Sequence, residues 1–310
     1  MNLYAKLLQA QGQRVFAVEG IDWYVYSRFL LPAYLPHAVP AITAAQAQRA
    51  RAQAGAPFAR WDSDFGRAAE GPWWYVLKRG PWSIEEIKDK KKRWTIRQGV
   101  KNFSVRPLTE AEVREQAPAV ARAAAARYTN ASGVEDRAVL ERRLAGGQAV
   151  PGVLEFMGCF QGETLVSYSE NYIQDGAVWL ANMRHHPEYL PLYSTYGFLN
   201  GILDYYLNQK RCAYVLDGCR SIHHRTGFQD TLIRNFEFTR EFARLQVAYA
   251  RWFGTLVRAA YPWRGGLYRL SEKWVNPALE NLGAVLRQET IRRDGGGNHH
   301  ISRAAPEAPE

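Results

Sequence analysis

Cysteine is scarce in this sequence, and its few copies are not spaced for cross-linking or metal binding. The chain of 310 residues contains three cysteines, Cys159, Cys212 and Cys219, and no CxxC motif. Small secreted scaffolds and structural zinc sites depend on more numerous or more regularly spaced cysteines. The sequence therefore gives no sign of a disulfide framework or a metal site, and it predicts three ordinary buried thiols.

Long apolar runs are also absent. The first residues lack the apolar stretch of a secretory signal, and no segment approaches the roughly 18 apolar residues that a membrane-spanning helix needs. Hydrophobic residues nevertheless make up 47% of the chain and aromatic residues 13%. This composition is enough to bury one large core or two modest ones. We therefore expect a globular protein in the cytoplasm, without a transmembrane segment.

Acidic residues are outnumbered by basic ones. The chain has 30 Asp and Glu residues against 40 Lys and Arg residues, which gives a net charge of +10 and a pI near 9.5. Such a balance favours polyanionic partners. Nucleic acid, an anionic lipid surface and phosphorylated donors such as coenzyme A all fit, and charge alone does not choose among them.

Composition divides the chain into four parts. Residues 1–100 mix short apolar runs with prolines and an Ala/Gln-rich stretch at 41–54 that favours a helix, so they form an N-terminal elaboration or subdomain ending in a basic helix. The most regular pattern spans residues 101–250, and a helical extension is predicted for 251–291. Residues 292–310 are rich in Gly, Pro and Ala without apolar periodicity, which predicts a disordered tail.

The basic helix is predicted over residues 84–101. Ser83 and Glu86 have the spacing of a capping box that would begin it. The apolar stripe expected behind the cations consists of Ile84, Ile87 and Trp94. Several cations within two or three turns sum their fields over a phosphate, so the helix fits an anion-binding ridge as well as an ordinary solvated face. The donor-phosphate ligands predicted on it are Lys91, Arg93 and Arg97.

From residue 103 the pattern predicts a regular series of elements. A strand at 103–108 leads into a helix that Thr109 and Glu112 would begin through a second capping box. Another helix over 136–144 would end at the glycine pair 146–147.

Three strands then form a predicted antiparallel meander, because an Asp-Gly pair and a similar Gly-containing turn join them. The meander strands are 153–160, 164–173 and 177–183. The remaining predicted elements are a helix at 194–208, a strand at 212–217, a helix at 229–235 and a late strand at 242–249.

This element order resembles the acyl-CoA N-acyltransferase superfamily, which contains the GCN5-related N-acetyltransferases and the Fem-type aminoacyltransferases. Residues 217–221, Asp-Gly-Cys-Arg-Ser, followed by residues 228–240, look like the strand, helix and FGF-x-R ending of that fold. The match covers roughly residues 101–250. It implies an α+β fold with a mixed, mainly antiparallel central sheet flanked by helices. It also implies no permanently bound cofactor, with acyl-CoA or aminoacyl-tRNA as a co-substrate.

One loop departs from the acetyltransferase pattern. The acetyltransferases usually place a Gln/Arg-x-x-Gly-x-Gly/Ala loop between the fourth strand and the next helix, where backbone N–H groups cradle a pyrophosphate. Residues 184–197 occupy that place here and lack the glycine pattern. Fem-type and carrier-dependent members also relax this loop. The anionic donor implied by the resemblance is therefore a coenzyme A thioester, a carrier protein or a charged tRNA.

Candidate catalytic residues follow from the place where the sheet of this fold opens, beside strands 177–183 and 212–217. The chemistry there needs a base that deprotonates the amine and a dipole that stabilises the oxyanion. The catalytic candidates are Asp217, His223 and His224, and the residues predicted to hold phosphate are Arg220 and Arg225. The alternative is that residues 217–226 form an ordinary polar loop.

An acceptor pocket is predicted from polar and aromatic side chains of the meander and the loop after it. Its residues are Glu170, Tyr172, Asn182 and Tyr193. Strand and helix spacing also explains the aromatic members as core residues. Cys219 is not favoured as a covalent acyl carrier, because its neighbours do not form a Cys-His nucleophile.

We therefore expect acyl or aminoacyl transfer from an activated donor to an amine that the sequence does not specify. Two other functions stay open. A nucleic-acid-binding protein would use the basic helix 84–101 with Trp94 and Phe103. A catalytically inactive transferase fold would act as an interaction module, which the missing glycine loop permits.

Overall fold

The computed structural model of the protein describes residues 1–126, 137–222, 227–273 and 276–295. The helices are α1 (Leu3–Ala10), α2 (Ala44–Ala54), α3 (Lys90–Asn102), α4 (Glu110–Ala125), α5 (Arg137–Ala149), α6 (Ser194–Leu203), α7 (Gly227–Phe236), α8 (Arg251–Ala260), α9 (Arg264–Lys273) and α10 (Pro277–Asp294). The strands are β1 (Val15–Val18), β2 (Ile21–Tyr26), β3 (Phe29–Pro32), β4 (Phe58–Ser63), β5 (Trp74–Arg79), β6 (Ser104–Pro107), β7 (Leu154–Gln161), β8 (Thr164–Gln174), β9 (Ala177–His185), β10 (Tyr214–Cys219), β11 (Thr239–Phe242) and β12 (Arg244–Tyr249).

The strands form two mainly antiparallel sheets. The central sheet has seven strands in the order β11-β5-β10-β9-β8-β7-β6, and the second sheet has five in the order β1-β2-β3-β4-β12. Parallel pairing occurs between β9 and β10 in the central sheet and between β3 and β4 in the other. The predicted α+β fold with a mixed, mainly antiparallel central sheet flanked by helices is confirmed. The separate five-stranded sheet is an addition to it.

The predicted meander is present as β7, β8 and β9. Its second turn is the Asp175-Gly176 pair, in which both residues have positive φ, 49° and 76°. Asp-Gly accepts this left-handed backbone readily, and the resulting turn matches the twist of the two strands it joins. The turn therefore fixes the register from Gln174 opposite Ala177 to Asn171 opposite Leu180, and a register shift at the next residue places Glu170 of β8 opposite Asn182 of β9.

The central sheet separates two apolar cores. One lies beneath α3, α6 and α7, where Phe198, Ile202 and Tyr206 are fully buried. The other lies between the two sheets and α10, with Trp73 and Leu216 among its buried residues. Burial on both faces holds the strands of the central sheet in one register, because a slip by one residue would exchange the two faces.

The basic helix begins later than the sequence predicts. Residues 84–86 form a short 3-10 turn, and α3 starts at Lys90 because the Asp89 carboxylate accepts hydrogen bonds from the backbone N–H groups of Lys91 and Lys92. The predicted apolar stripe is also wrong at Trp94, which is 51% exposed. The residues that α3 buries are Ile96 and Gly99.

Two further sequence predictions were wrong. Helix α5 does not end at the glycine pair 146–147 but continues to Ala149, because Gly146 lets α5 approach α1: an added Cβ would lie 2.6 Å from Gln11 Cγ. The late strand predicted over 242–249 is two strands. Of these, β11 joins the central sheet and β12 joins the five-stranded sheet, so the chain crosses between sheets at Ala243.

The predicted division of the chain into four parts stays a prediction. Strand β5, from the N-terminal part, lies between β11 and β10 of the central sheet. The C-terminal part contains α8, α9 and α10, and α10 continues to Asp294. Within the described ranges, no helix has the length and apolarity that crossing a membrane requires.

Candidate active site

The central sheet opens between β9 and β10. These strands pair over three residues only, from Tyr214 opposite Ala177 to Leu216 opposite Trp179. Strand β9 then continues to His185, whereas β10 ends at Cys219. Beyond Trp179, β9 therefore lacks its β10 partner and presents backbone N–H and C=O groups toward the opening. This is the place where the family resemblance puts the chemistry.

Asp217 lies at this opening, in a bulge of β10. The pairing of β10 with β5 shifts between Leu216 and Gly218, so Asp217 is the extra residue. A bulge re-aims a side chain at the end of a strand. Gly218 has a φ of 136°, a left-handed backbone that favours glycine. The indole Nε1 of Trp179 donates to the Asp217 carbonyl at 3.2 Å, which fixes the bulge against β9.

The Asp217 carboxyl is partly buried, and among the described residues its side-chain donor is a neutral amide. Gln229 of α7 donates from Nε2 to Asp217 Oδ2 at 3.1 Å. Burial raises the pKa of Asp217 to about 6, and the hydrogen bond from Gln229 partly offsets this rise. Since the group is then largely ionised near neutral pH and still basic enough to accept a proton, it suits general-base catalysis.

Gln229 is a residue that sequence reasoning did not identify as part of the site. It also donates to the Cys219 carbonyl at 3.1 Å, so one amide holds both ends of the bulge. The sequence gave only a weak signal for this role, because Gln229 was predicted merely as the first residue of a helix. The side chain comes into the site because the first turn of α7 lies over the end of β10.

Replacing Gln229 with Leu is expected to raise the pKa of Asp217 above about 6. The amide hydrogen bond stabilises the ionised carboxylate, so its loss favours the protonated form. An NMR titration of the Asp217 carboxyl carbon measures this directly. Thr231→Val, on the same helix, is the matched control and should leave the pKa unchanged. An unshifted pKa in Gln229→Leu would mean that Gln229 does not tune the carboxyl.

The opposite face of the sheet carries three of the predicted acceptor-pocket residues. Glu170 is 2% exposed, accepts from Arg143 Nη1 at 2.9 Å and accepts from the Tyr172 hydroxyl at 2.7 Å. Asn182 faces Glu170 across the strand pair. The Tyr172 ring lies 5.6 Å from that of Trp179, so aromatic contact connects this face to the Asp217 bulge. A role in acceptor binding stays a prediction for all three.

Tyr193, the fourth predicted pocket residue, lies apart from the others. It precedes α6 and has a φ of 66°, and its ring meets the Trp94 ring of α3 at 5.7 Å. The structure therefore does not bring Tyr193 together with Glu170, Tyr172 and Asn182.

Two histidines lie at the end of the meander, His185 as the last residue of β9 and His186 directly after it, and Cys219 is the last residue of β10. His185 Nδ1 hydrogen-bonds with Ser167 Oγ at 2.8 Å, and burial lowers the pKa of His185 to about 4, which keeps the ring neutral. The adjacent His186 ring packs against Tyr189 at 5.3 Å. Burial raises the pKa of Cys219 to about 11. A thiol held in its protonated form is a poor nucleophile, in keeping with the low weight that the sequence gave it.

Two of the three predicted phosphate ligands near α3 already have partners within the protein. Arg97 pairs with Glu85 at 2.5 Å, and Arg93 donates to the carbonyls of Ile87 and Lys88. Lys91 is exposed on α3 and has no ion pair within the described part of the chain.

Of the arginine and histidine candidates after β10, the structure describes Arg220. Arg220 donates to the Pro72 carbonyl at 2.8 Å and lies over the Trp74 ring at 4.6 Å, contacts that hold it against β5. The predicted residues His223, His224 and Arg225 lie outside the described residues.

Helix α3 covers the beginning of α6, where the acetyltransferases cradle a pyrophosphate. Ser194, the first residue of α6, is fully buried. Gly99 lies against Gly197 so closely that a Cβ on Gly99 would be 2.6 Å from the Tyr193 carbonyl oxygen, and one on Gly197 would be 2.6 Å from the Gly99 carbonyl oxygen. The first turn of α6 is therefore packed against α3, and its N–H groups do not form an open anion site.

A groove of about 240 Å³ lies away from the sheet opening. Its walls come from α3, β6 and α6, and its polar lining residues include Arg106, Asn200, Asp204 and Gln209. Since Asp217 does not line it, it is not the place where the carboxyl acts. Among the residues that the structure describes, no three His, Cys, Asp or Glu side chains come together as metal ligands.

Solved structures of other proteins share this arrangement of strands and helices. FemX superposes with a TM-score of 0.56 at 7% identity, over 84% of this chain and 93% of its own. The fold is that of the acyl-CoA N-acyltransferases. The C-terminal DUF2156 domain of a predicted lysylphosphatidylglycerol synthetase from Agrobacterium fabrum gives 0.51 at 12% identity, over 84% of this chain and 91% of its own.

A conserved protein of unknown function from Bacteroides thetaiotaomicron VPI-5482 has the same fold, with a TM-score of 0.53 at 9% identity over 80% of this chain and 90% of its own. No protein-family model matches the sequence, and no curated protein is similar to it in sequence. At these sequence identities the likeness shows an acyltransferase-like fold and nothing more. Any argument for an activity therefore has to come from the residues at the opening between β9 and β10.

Proposed function

We propose that the protein transfers an acyl or aminoacyl group from an activated donor to an amine, with Asp217 as the general base. The observation that carries this proposal is the position of Asp217. It is a carboxyl with a pKa of about 6, held in a bulge at the opening between β9 and β10 of an acyltransferase-like fold.

The proposed reaction needs little more than a base and a dipole. The acceptor amine attacks the donor carbonyl, its nitrogen forms the new amide bond, and its proton passes to the Asp217 carboxylate. The bond to the leaving group then breaks, and the thiolate or ribose oxygen that departs takes up a proton. Backbone N–H groups on the unpaired edge of β9 beyond Trp179 are available to stabilise the oxyanion.

The donor proposed here does not place a pyrophosphate on α6. Because α3 covers the first turn of that helix, a carrier-bound acyl group or an aminoacyl-tRNA fits better than coenzyme A held in the acetyltransferase manner. The phosphates of either donor would be attracted by the exposed lysines of α3, Lys90, Lys91 and Lys101, and by Lys88 just before the helix. Transfer without a permanently bound cofactor completes the proposal.

A donor panel tests this function. The purified protein is incubated with a mixture of radiolabelled aminoacyl-tRNAs, with an acyl carrier protein and with acyl-CoA, each together with simple amines, and amide formation is measured. Product from a tRNA or carrier donor supports the proposal. Product from acyl-CoA alone would contradict the donor assignment, and an absence of product and of donor binding would leave the inactive interaction module as the function.

Nucleic-acid binding without catalysis is the second candidate, because α3 places the half-exposed Trp94 among exposed lysines. Aromatic rings between cations favour stacked bases and phosphates. Saturable binding of uncharged RNA that Trp94→Ser weakens, without amide formation from any donor, would establish it in place of the transferase.

A further inference from the structure

An apolar stripe lies exposed on the C-terminal helices. Trp252 and Leu256 of α8 are 62% and 58% exposed, and Trp263, which follows α8, is 73% exposed. Trp252 and Leu256 are four residues apart and therefore lie on one side of α8, and Trp263 ends the 3-10 turn that joins α8 to α9. Leu270 of α9 is exposed as well. Large apolar side chains collected on one surface mark a place where something docks.

The same segment is rich in arginine, and the acidic residue in α8 and α9 is Glu272, near the end of α9. Residues 242–271 contain no Asp and no Glu. The arginines of α8 and α9 are Arg251, Arg258, Arg264 and Arg269. Within the described residues none of them forms an ion pair with a carboxylate, although Arg264 lies over the Tyr261 ring at 4.3 Å. The four arginines and the four apolar residues named above are together called the C-terminal patch.

A rigid aromatic base supports the patch. The Phe253 ring of α8 stacks on Phe58 at 5.8 Å, and Phe58 stacks on Phe29 at 4.6 Å. Phe29 in turn meets Tyr26, which is itself exposed, at 5.5 Å. The Phe253 ring thus attaches α8 to the rings of β3 and β4. The exposure of Trp252 and Leu256 is therefore a property of the folded protein and does not result from a loosely attached helix.

We propose that the C-terminal patch docks the protein onto the surface of a bilayer that contains anionic phospholipid. Tryptophan and leucine on one side of a helix, with arginine beside them, is the composition of interfacial amphipathic helices. The rings and leucines enter the boundary between headgroups and acyl chains, and the arginines meet lipid phosphates. This inference is independent of the proposed transferase activity.

Charge favours this occupant over a second copy of the chain. A symmetric contact through the patch would bring eight arginines together without a carboxylate from residues 242–271 to offset them. An RNA would satisfy the arginines but would leave Leu256 and Leu270 exposed. A bilayer with anionic headgroups satisfies the cations and the apolar side chains together.

Vesicle sedimentation tests the proposal with the full-length protein. Vesicles of phosphatidylcholine alone are compared with vesicles in which part of it is replaced by phosphatidylglycerol. The protein should bind the anionic vesicles at least about tenfold more tightly, and added salt should weaken this binding. Equal binding to both vesicles, or binding to neither, would overturn the proposal.

Two variants locate the contact. The triple variant Trp252→Ser, Leu256→Ser, Trp263→Ser should lose about tenfold or more of the vesicle affinity. Arg251→Gln with Arg258→Gln should lose about tenfold on anionic vesicles only, which keeps the test decisive if the triple variant folds poorly. The matched controls on α3, Trp94→Ser and Lys90→Gln with Lys91→Gln, should bind as the parent does.

Other occupants give different results in the same experiments. Loss of binding in the α3 controls with full binding in the patch variants would move the contact to α3 and overturn the proposal. So would sedimentation velocity showing a dimer that the triple variant abolishes, or an RNA that displaces the protein from vesicles and binds more weakly to the patch variants.

Discussion

Asp217→Asn is expected to lower the rate of amide formation by about 100- to 10,000-fold, the range in which a positioned general base contributes. Asn keeps the size of the side chain and can still accept the hydrogen bond from Gln229, so the bulge of β10 is preserved. It cannot take up the amine proton. The rate is measured in a single turnover with whichever donor yields product, so that donor binding does not limit it.

The stability of Asp217→Asn supplies the control. Because burial raises the pKa of Asp217 to about 6, the folded state disfavours the ionised carboxyl. This penalty is absent below about pH 3, grows between about pH 4 and pH 6, and is complete above that range. The variant should therefore match the parent at about pH 3 and exceed it at pH 8 by about 2 kcal/mol in free energy of unfolding. If the variant were slow and also less stable than the parent at pH 8, its low rate would follow from a damaged fold, and this would contradict the catalytic role.

Gly99→Ala is expected to destabilise the protein by about 2 to 3 kcal/mol. A methyl group there would lie 2.6 Å from the Tyr193 carbonyl oxygen and would push α3 away from the first turn of α6. Backbone atoms on both sides leave no flexible side chain that could yield. The free energy of unfolding from urea denaturation measures the effect.

Gly266→Ala is the matched control for this substitution. Gly266 is also inside a helix, α9, but nothing lies within 4 Å of an added Cβ. Alanine there should be neutral or should stabilise by up to about 1 kcal/mol, since it favours the helix. If both variants behaved alike, the close packing of α3 on α6 would be wrong, and with it the argument against a pyrophosphate site.

Local signals in the sequence predicted most of the central sheet. The Asp175-Gly176 turn and the alternation around it depend on neighbouring residues only, and the Thr109 capping box does so as well. The start of α3 was missed because two cap signals compete within seven residues, and Asp89, which caps two N–H groups, prevails over Ser83. The division of 242–249 into two strands depends on which sheet each half joins, a long-range contact that no local pattern contains.

The candidate site was predictable only in part, for the same reason. Asp217 follows a buried strand, so its place at a strand end could be read from the sequence. The donor Gln229 and the contact with Trp179 come from 12 and 38 residues away. The bulge arises from the pairing of β10 with β5, which is more distant still in the sequence. Glu170 and Tyr193 were grouped as polar and aromatic side chains of the meander and the loop after it, but the sheet directs Glu170 to the face opposite α6, away from Tyr193.

The pH dependence of kcat/KM for amide formation, in the parent and in Asp217→Asn, tests the central claim most directly. If Asp217 is the base, the parent rate rises through an apparent pKa near 6, because only the ionised carboxyl accepts the amine proton. The variant should be slow and should lack this rise. A variant that kept both the parent rate and the rise near pH 6 would contradict the account and place the base elsewhere.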